Sequence, residues 1–210
     1  MATVNSSRVS SSVALLGGAA AIAMTLAACG SDPATPSAST PSVANVATST
    51  VGETPAAAST CPTAAPDSAA APEWTLPGAT GSVAVTGSTD ATAPNVKVEA
   101  PFSVAETQVK TLQAGNGPVV ADTATVSVCY MGVNGRDGSV FDSSYERGAP
   151  VEFPLDGVVP GFQKAIAGQN VGSTVAVAMT SADGYPEGQP AAGIQKGDSL
   201  IFAIKILGAS

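Results

Sequence analysis

Histidine is missing from this 210-residue sequence, which excludes a histidine-based catalytic triad, an imidazole metal site and a histidine general base. Basic residues are also scarce, with eight lysines and arginines against sixteen acids and a formal net charge of −8. Because nucleic-acid-binding chains carry a basic surface, we expect no nucleic-acid partner. Aromatic residues make up only 4% of the chain, and none precedes Trp74. The hydrophobic core must therefore be built from the later part of the chain.

The N-terminus has the features of an export signal. After Arg8, residues 13–26 form a run low in charge, whose length suits a signal peptide better than a membrane span. The run ends in Leu26-Ala27-Ala28-Cys29, which resembles a bacterial lipobox. We therefore expect a lipoprotein signal peptide at residues 1–28, lipidation of Cys29 by a diacylglycerol and an extracytoplasmic protein anchored in the cell membrane by its two acyl chains. The alternative is an ordinary secretory signal followed by an unrelated cysteine.

The rest of the chain divides by composition. Residues 29–72 consist mostly of Ala, Ser, Thr and Pro and cannot bury enough apolar area to offset chain entropy, so we predict a disordered tether. Residues 73–105 contain two alternating segments, which predict either extra strands of the main sheet or an ordered N-terminal arm. Residues 106–210 are predicted to form the main domain.

Hydrophobic periodicity indicates a sheet with one helix. Alternating apolar residues predict strands over 82–86, 95–99, 107–112, 123–130, 151–153, 173–180 and 200–207. A helix is predicted from Pro160, which suits a first turn, to Gly168, which can end it, with Phe162 and Ile166 on one face. The predicted fold class is α+β, an antiparallel sheet of five to six strands wrapped on one short helix.

Several ordered motifs in residues 106–207 resemble those of FKBP-type peptidyl-prolyl cis-trans isomerases. The matching runs are Tyr130-x-Gly132, Gly138-x-x-Phe141-Asp142-Ser143-Ser144, Arg147-Gly148, Val158-Val159-Pro160-Gly161-Phe162, Val171-Gly172 and the ending at residues 200–207. The resemblance implies an isomerase acting on proline-containing polypeptides, with macrolides such as rapamycin or tacrolimus as candidate ligands and no metal or cofactor. We also expect a monomer, because the tethered domain has few exposed apolar motifs.

The same resemblance implies the residues of an apolar pocket. Catalytic roles fall to Tyr130, Phe141, Asp142 and Tyr185, and substrate contacts to Arg147, Val158, Val159, Phe162, Ile194 and Phe202. In this reading Arg147 holds Asp142, the Tyr185 hydroxyl lies near a substrate carbonyl and the Val159 N–H binds a second one. Val151 stands where the family often has Phe, and residues 186–193 depart from the family pattern.

Simpler interpretations exist for these residues. Periodicity alone favours Tyr130 and Tyr185 as core residues with bonded hydroxyls. For Asp142 and Arg147, a surface ion pair of little energetic value is an equal alternative. Phe153 is expected to be a core residue.

Prolyl isomerisation needs a pocket of this kind and no histidine. The X–Pro bond resists rotation by about 18–20 kcal/mol because resonance is lost in the twisted amide. An apolar cleft disfavours the more dipolar planar form, and donors aimed at the twisted form add differential binding. The expected function is therefore isomerisation during folding of exported proteins at the cell envelope, and the alternative is a non-catalytic FKBP-like chaperone or binding scaffold.

Three cysteines complete the sequence predictions. With Cys29 assigned to lipid, Cys61 and Cys129 remain in an oxidising setting and are predicted to form a disulfide, with free thiols as the alternative. Cys129 alternates with Tyr130 and therefore faces away from the pocket. The sequence has no CxxC motif, so we expect no oxidoreductase.

Overall fold

The computed structural model describes residues 60–210, which form two antiparallel sheets and a few short helical segments. The predicted signal peptide, Cys29 and the tether up to residue 59 lie outside the described residues. Within the described part of the chain, no helix is long and apolar enough to cross a membrane.

The strands alternate with short connections along the whole described chain. They are β1 (Trp74–Pro77), β2 (Thr80–Thr86), β3 (Asn95–Ser103), β4 (Gln108–Gln113), β5 (Thr125–Asn134), β6 (Val140–Ser143), β7 (Val151–Pro154), β8 (Thr174–Met179) and β9 (Leu200–Ala209). The α-helices of this region are α1 (Ser144–Arg147) and α2 (Pro160–Ile166). Single 3-10 turns occupy Leu155–Gly157, Ser181–Asp183 and Pro190–Ala192.

Six strands form the main sheet, in the order β4-β8-β9-β5-β6, with β7 paired to β5. All of these pairings are antiparallel, which confirms the α+β fold class predicted from periodicity. The predicted helix is present as α2, which Pro160 begins. The prediction of one short helix was incomplete, because α1 follows β6 directly and is too short to show a periodic pattern.

Residues 73–105 form a separate sheet and add no strand to the main one. The order of this sheet is β1-β2-β3, and it lies against the face of the main sheet that α2 does not cover. Its apolar side chains pack on the small residues Ala176, Ala178 and Ala203 of β8 and β9. Because alanines leave little relief on this face, the second sheet can approach closely. Strand β8 is consequently buried along its whole length.

Residues 60–72, which composition assigned to the disordered tether, are instead fixed to the folded domain. Cys61 is 2% exposed and forms a disulfide with Cys129, with the two Cα atoms 5.7 Å apart. The Cys61 N–H donates to the Gly148 carbonyl at 3.1 Å, and the Ala93 N–H donates to the Ala64 carbonyl at 2.9 Å. The disulfide is the one predicted from the cysteine count. Composition alone assigned these residues to the tether because it records neither that bond nor the backbone hydrogen bonds to distant residues.

Candidate active site

An open cavity of about 390 Å³ lies between α2 and the main sheet. Its volume falls in the range of small-molecule binding sites. The lining residues are Tyr130, Phe141, Asp142, Val151, Phe153, Gly157, Val158, Val159, Phe162, Tyr185 and Phe202. Most of them are apolar or aromatic, so the cavity suits an apolar group of modest size.

The two central strands and α2 carry the base of the cavity. Tyr130 on β5 and Phe202 on β9 belong to pairs two steps apart in the ladder, because Tyr130 is opposite Ile204 and Gly132 is opposite Phe202. Since side chains alternate along a strand, both rings point to the α2 side of the sheet. Phe162, in the first turn of α2, is 5% exposed and meets them there.

Edge-to-face contacts hold the rings in place. The Phe162 ring centroid lies 5.1 Å from that of Phe202, 5.4 Å from that of Phe153 and 5.8 Å from that of Tyr130. Phe141 meets Phe202 at 5.5 Å with nearly perpendicular rings. These separations are typical of favourable aromatic pairs, so the walls of the cavity support one another.

Gly132 is required where β5 passes beneath these rings. A Cβ atom at this position would lie 2.6 Å from Cζ of Phe141 and 2.8 Å from Cε1 of Phe202. Both distances are shorter than real carbon contacts, so any side chain would push the two rings into the cavity. The Tyr130-x-Gly132 motif therefore has a steric reason.

A polar group of three side chains lies at the rim. The Tyr130 hydroxyl donates a short hydrogen bond to Oδ2 of Asp142. Nη1 of Arg147 donates to Oδ1 of Asp142 at 2.5 Å, and its Nη2 donates to the Tyr130 hydroxyl at 3.3 Å. The guanidinium carbon also lies 5.9 Å from the Tyr130 ring centroid. Asp142 is thus held by two donors, and Arg147 by both the acid and the phenol.

These contacts fix the protonation states. Burial, followed by the hydrogen bond to Asp142, raises the pKa of Tyr130 above its usual value. Burial acts to raise the pKa of Asp142 as well, but the hydrogen bonds from Tyr130 and Arg147 outweigh it and hold that pKa below its usual value. At neutral pH the phenol is therefore neutral and the carboxyl is charged, with the phenolic proton directed at Asp142.

Two further donors line the cavity without partners. Neither the Tyr185 hydroxyl nor the Val159 N–H makes a hydrogen bond within residues 60–210. Together with the apolar walls, they can bind an apolar ring flanked by carbonyl groups. In the same residues no cluster of three metal-ligating side chains occurs.

Eight of the ten predicted pocket residues line the cavity. They are Tyr130, Phe141, Asp142, Tyr185, Val158, Val159, Phe162 and Phe202. Arg147 does not line it but contacts Asp142 and Tyr130 from outside. Ile194 does not line it either, because it is 2% exposed and packs in the core beside α2.

Phe153 corrects a second prediction, since it lines the cavity and is only partly buried. It shares one face of β7 with Val151, which is two residues away and also lines the cavity. The i, i+2 spacing was a usable signal, but a four-residue strand is too short for periodicity to show which side is open. Gly157 was also missed, and no sequence signal distinguished it from an ordinary turn glycine.

An antiparallel sheet on a short helix, with an aromatic cleft between them and donors at its rim, gives a site whose shape suits a small apolar group beside carbonyls. The family model of FKBP-type peptidyl-prolyl cis-trans isomerases matches residues 117–207. A probable FK506-binding protein of Corynebacterium glutamicum is 34% identical over 96 residues, covering 45% of this chain and 80% of that protein. An FK506-binding protein of Streptomyces anulatus is 32% identical over 106 residues, covering 49% and 86%.

The chain therefore belongs to the FKBP-type peptidyl-prolyl cis-trans isomerase family, as its motifs predicted. A 22 kDa FKBP-type isomerase of Escherichia coli is 37% identical over 100 residues, which cover 48% of this chain and 48% of that protein. The match thus spans about half the length of this relative. The family-model match begins at residue 117, after the β1-β2-β3 sheet.

Proposed function

We propose that this domain catalyses cis-trans isomerisation of X–Pro bonds in exported polypeptides at the cell envelope. The cavity carries the proposal, because its ring-lined base can accept a proline ring while the unpartnered Tyr185 hydroxyl and Val159 N–H face the same space. The twisted amide is less dipolar than the planar one, so an apolar cleft destabilises the planar form relative to the twisted form. Donors already in place at the rim need no reorganisation when the bond rotates.

In this mechanism Asp142 acts through its charge and takes no proton. Its two oxygens accept from Tyr130 and Arg147, which keep the carboxylate fixed at the rim of the cavity. A fixed charge beside the rotating amide stabilises one charge distribution over another without forming a bond. Tyr130, Phe141 and Tyr185 complete the proposed catalytic group, with Val158, Val159, Phe162 and Phe202 as binding residues.

A protease-coupled assay on a proline-containing tetrapeptide tests the activity. Phe141→Ala and Tyr185→Phe should each lower kcat/KM about tenfold or more, since one removes a wall and the other removes a donor. Val119→Ala is the matched control, because Val119 is 66% exposed and does not line the cavity. If wild type and both site variants show the same background rate, the domain is a non-catalytic chaperone or scaffold.

We further propose that Cys29 is acylated and anchors the protein to the outer face of the cell membrane. The lipobox-like run Leu26-Ala27-Ala28-Cys29 supports this proposal. Intact mass of the protein from membranes should show loss of residues 1–28 and added acyl chains, whereas Cys29→Ala should release the protein from the membrane fraction. Recovery of an unmodified Cys29 in wild type would contradict the anchor.

Macrolide binding is proposed for the same cavity, with the protein acting as a monomer. Rapamycin or tacrolimus should raise the melting temperature of wild type, because a ligand that binds only the folded state stabilises it. Phe162→Ala, which removes the floor of the cavity, should abolish the shift. No shift in wild type would remove macrolides from the proposed ligands while leaving the peptide assay to decide the activity.

A further inference from the structure

Helix α1 carries Arg147 to Asp142, yet four residues are too few for a helix that is stable by itself. Its own caps are modest. The Ser143 hydroxyl accepts from the Glu146 N–H at 3.4 Å, and the Gly148 N–H donates to the Tyr145 carbonyl at 3.2 Å. Contacts from other segments must therefore hold α1 in place.

Some of those contacts come from β5, where the Tyr130 N–H donates to the Ser144 hydroxyl. The others come from two segments before the main domain, residues 60–64 and 87–93, which we call the N-terminal brace. The Cys61 N–H donates to the Gly148 carbonyl at 3.1 Å, at the C-terminal end of α1. The hydroxyl of Tyr145, in the middle of α1, donates to the Ser88 hydroxyl at 2.8 Å, and both side chains are buried. The brace thus contacts α1 at two points that are independent of the cavity.

The disulfide fixes the brace to β5 directly beside the site. Cys129, the partner of Cys61, precedes Tyr130 in the chain. The Ser144 hydroxyl lies 3.5 Å from Sγ of Cys61 and accepts from the Tyr130 N–H at 2.8 Å. The brace, the first residue of α1 and the backbone of Tyr130 are therefore in direct contact.

A small apolar cluster also joins the brace to β5 and α1. Cys61, Ala93, Cys129 and Tyr145 are all buried and form a cluster separate from the main core. The Ala93 N–H bond to the Ala64 carbonyl joins the two segments of the brace to each other. Both segments lie outside residues 117–207, which the family model matches.

We propose that the N-terminal brace positions Arg147 against Asp142 and Tyr130, so that residues outside the matched domain determine the geometry of the rim. The proposal rests on the proposed isomerase function for its kinetic test. Arg147 is half exposed and has no other partner within residues 60–210 that would orient it. Without the brace, α1 loses its outer contacts, Arg147 moves away, and the charge of Asp142 is no longer fixed. Catalysis that depends on preorganised charge then slows.

Two variants of the full-length chain test the brace. Tyr145→Phe removes only the bond to Ser88 and keeps the disulfide, whereas Cys61→Ser combined with Cys129→Ser releases residues 60–64. We expect kcat/KM to fall about threefold in the first and about tenfold in the second, the range expected for one or two lost orienting hydrogen bonds. Val83→Ala is the control, because Val83 is buried in the cluster of the β1-β2-β3 sheet, away from α1. This substitution should lower the stability of the fold and leave kcat/KM unchanged.

A double-mutant cycle separates positioning from general loosening of the fold. In an Arg147→Ala background, the brace variants should cause no further loss of kcat/KM, because the group they position is gone. Equal losses in both backgrounds would overturn the proposal. If the double cysteine variant does not fold, Tyr145→Phe alone decides the cycle.

A second readout needs no activity. The carboxyl pKa of Asp142, followed by NMR, should rise in folded brace variants as Arg147 withdraws, and should equal the wild-type value in Val83→Ala. An unchanged pKa in the folded brace variants would refute the brace. If wild type shows no isomerase activity, the proposed function fails, while this pKa comparison still decides the positioning of Arg147.

Discussion

Asp142→Asn removes the charge at the centre of the rim and keeps the shape of the side chain. Hydrogen bonds to a charged group contribute about 1.5–3 kcal/mol when well shielded. Here the side chains of Arg147 and Asp142 are 48% and 40% exposed, so solvent screens much of their interaction. Exposed ion pairs contribute about 0.2–1 kcal/mol. We therefore expect the variant to lower the free energy of unfolding by about 1 kcal/mol at pH 7. The part-buried hydrogen bond from Tyr130 should contribute more of this loss than the exposed bond from Arg147.

The pH dependence of this loss follows from the sign of the pKa shift. The carboxyl of Asp142 has a lower pKa in the folded protein than the value of about 3.9 expected in the unfolded chain. Its contribution is therefore fully present above the unfolded pKa and is lost as the pH falls through the folded pKa. The difference between wild type and variant should be constant from pH 7 to about pH 5. It should begin to shrink below the unfolded pKa and be lost as the pH falls through the lower folded pKa of Asp142.

Urea unfolding of both proteins at pH 7, 5 and 3 measures this difference. Glu152→Gln is the matched control, since Glu152 is an exposed acid on β7 and its loss should change stability by less than about 0.5 kcal/mol. Alkaline titration adds a check, because the pKa of Tyr130 should move down toward its usual value once Asp142 is neutral. A stability difference that stays the same at all three pH values would refute the assignment of a charged Asp142 to the rim.

Two further variants and reduction of the disulfide test the packing around the site. Phe162→Ala should lower the free energy of unfolding by about 3–5 kcal/mol, because it empties a buried ring site, while Val119→Ala should have almost no effect in the same urea series. Gly132→Ala should cost about 1–3 kcal/mol and lower kcat/KM, since the new methyl group displaces two rings of the cavity, and normal activity would contradict the steric argument. Loss of the Cys61–Cys129 disulfide, which spans a sequence separation of 68, should cost up to about 4 kcal/mol, read as the difference in urea midpoint with and without reductant. Equal midpoints would contradict it.

Local patterns predicted the main sheet and its helix well. The alternating apolar side chains of β8 and β9 predict strands, and Pro160 with Phe162 and Ile166 predicts α2. Most of the pocket was also predictable, because the motif residues sit on these elements and their register follows from the strand period. Periodicity does not show whether Tyr130 and Phe202 face a core or a cavity. The family motifs predicted that both rings line a cavity.

The failures share a physical cause, which is dependence on contacts far away in the chain. Ile194 was assigned to the pocket, but it is 2% exposed and belongs to the main core, whose members include Val177 of β8 and Ile204 of β9. Phe153 was assigned to the core, but β7 lies at the edge of the cavity. Whether a large apolar side chain ends up in a core or in a cleft depends on what faces it, and a four-residue pattern does not contain that information.

The boundary predicted between residues 105 and 106 rests on sequence patterns and on the family resemblance. In the structure, side chains from before this boundary pack on side chains from after it. The face of the main sheet that α2 does not cover packs against the second sheet. Its alanines contact apolar side chains of β1, β2 and β3, and the residues involved are Ala176, Ala178, Ala203, Leu76, Val83, Val85 and Phe102. A domain beginning at residue 106 would expose this face to water, and it would lose the disulfide and the contacts that hold α1. Large exposed apolar patches on soluble domains favour association. The second sheet and the brace therefore belong to the same folding unit as the cavity, even though the family model begins only at residue 117.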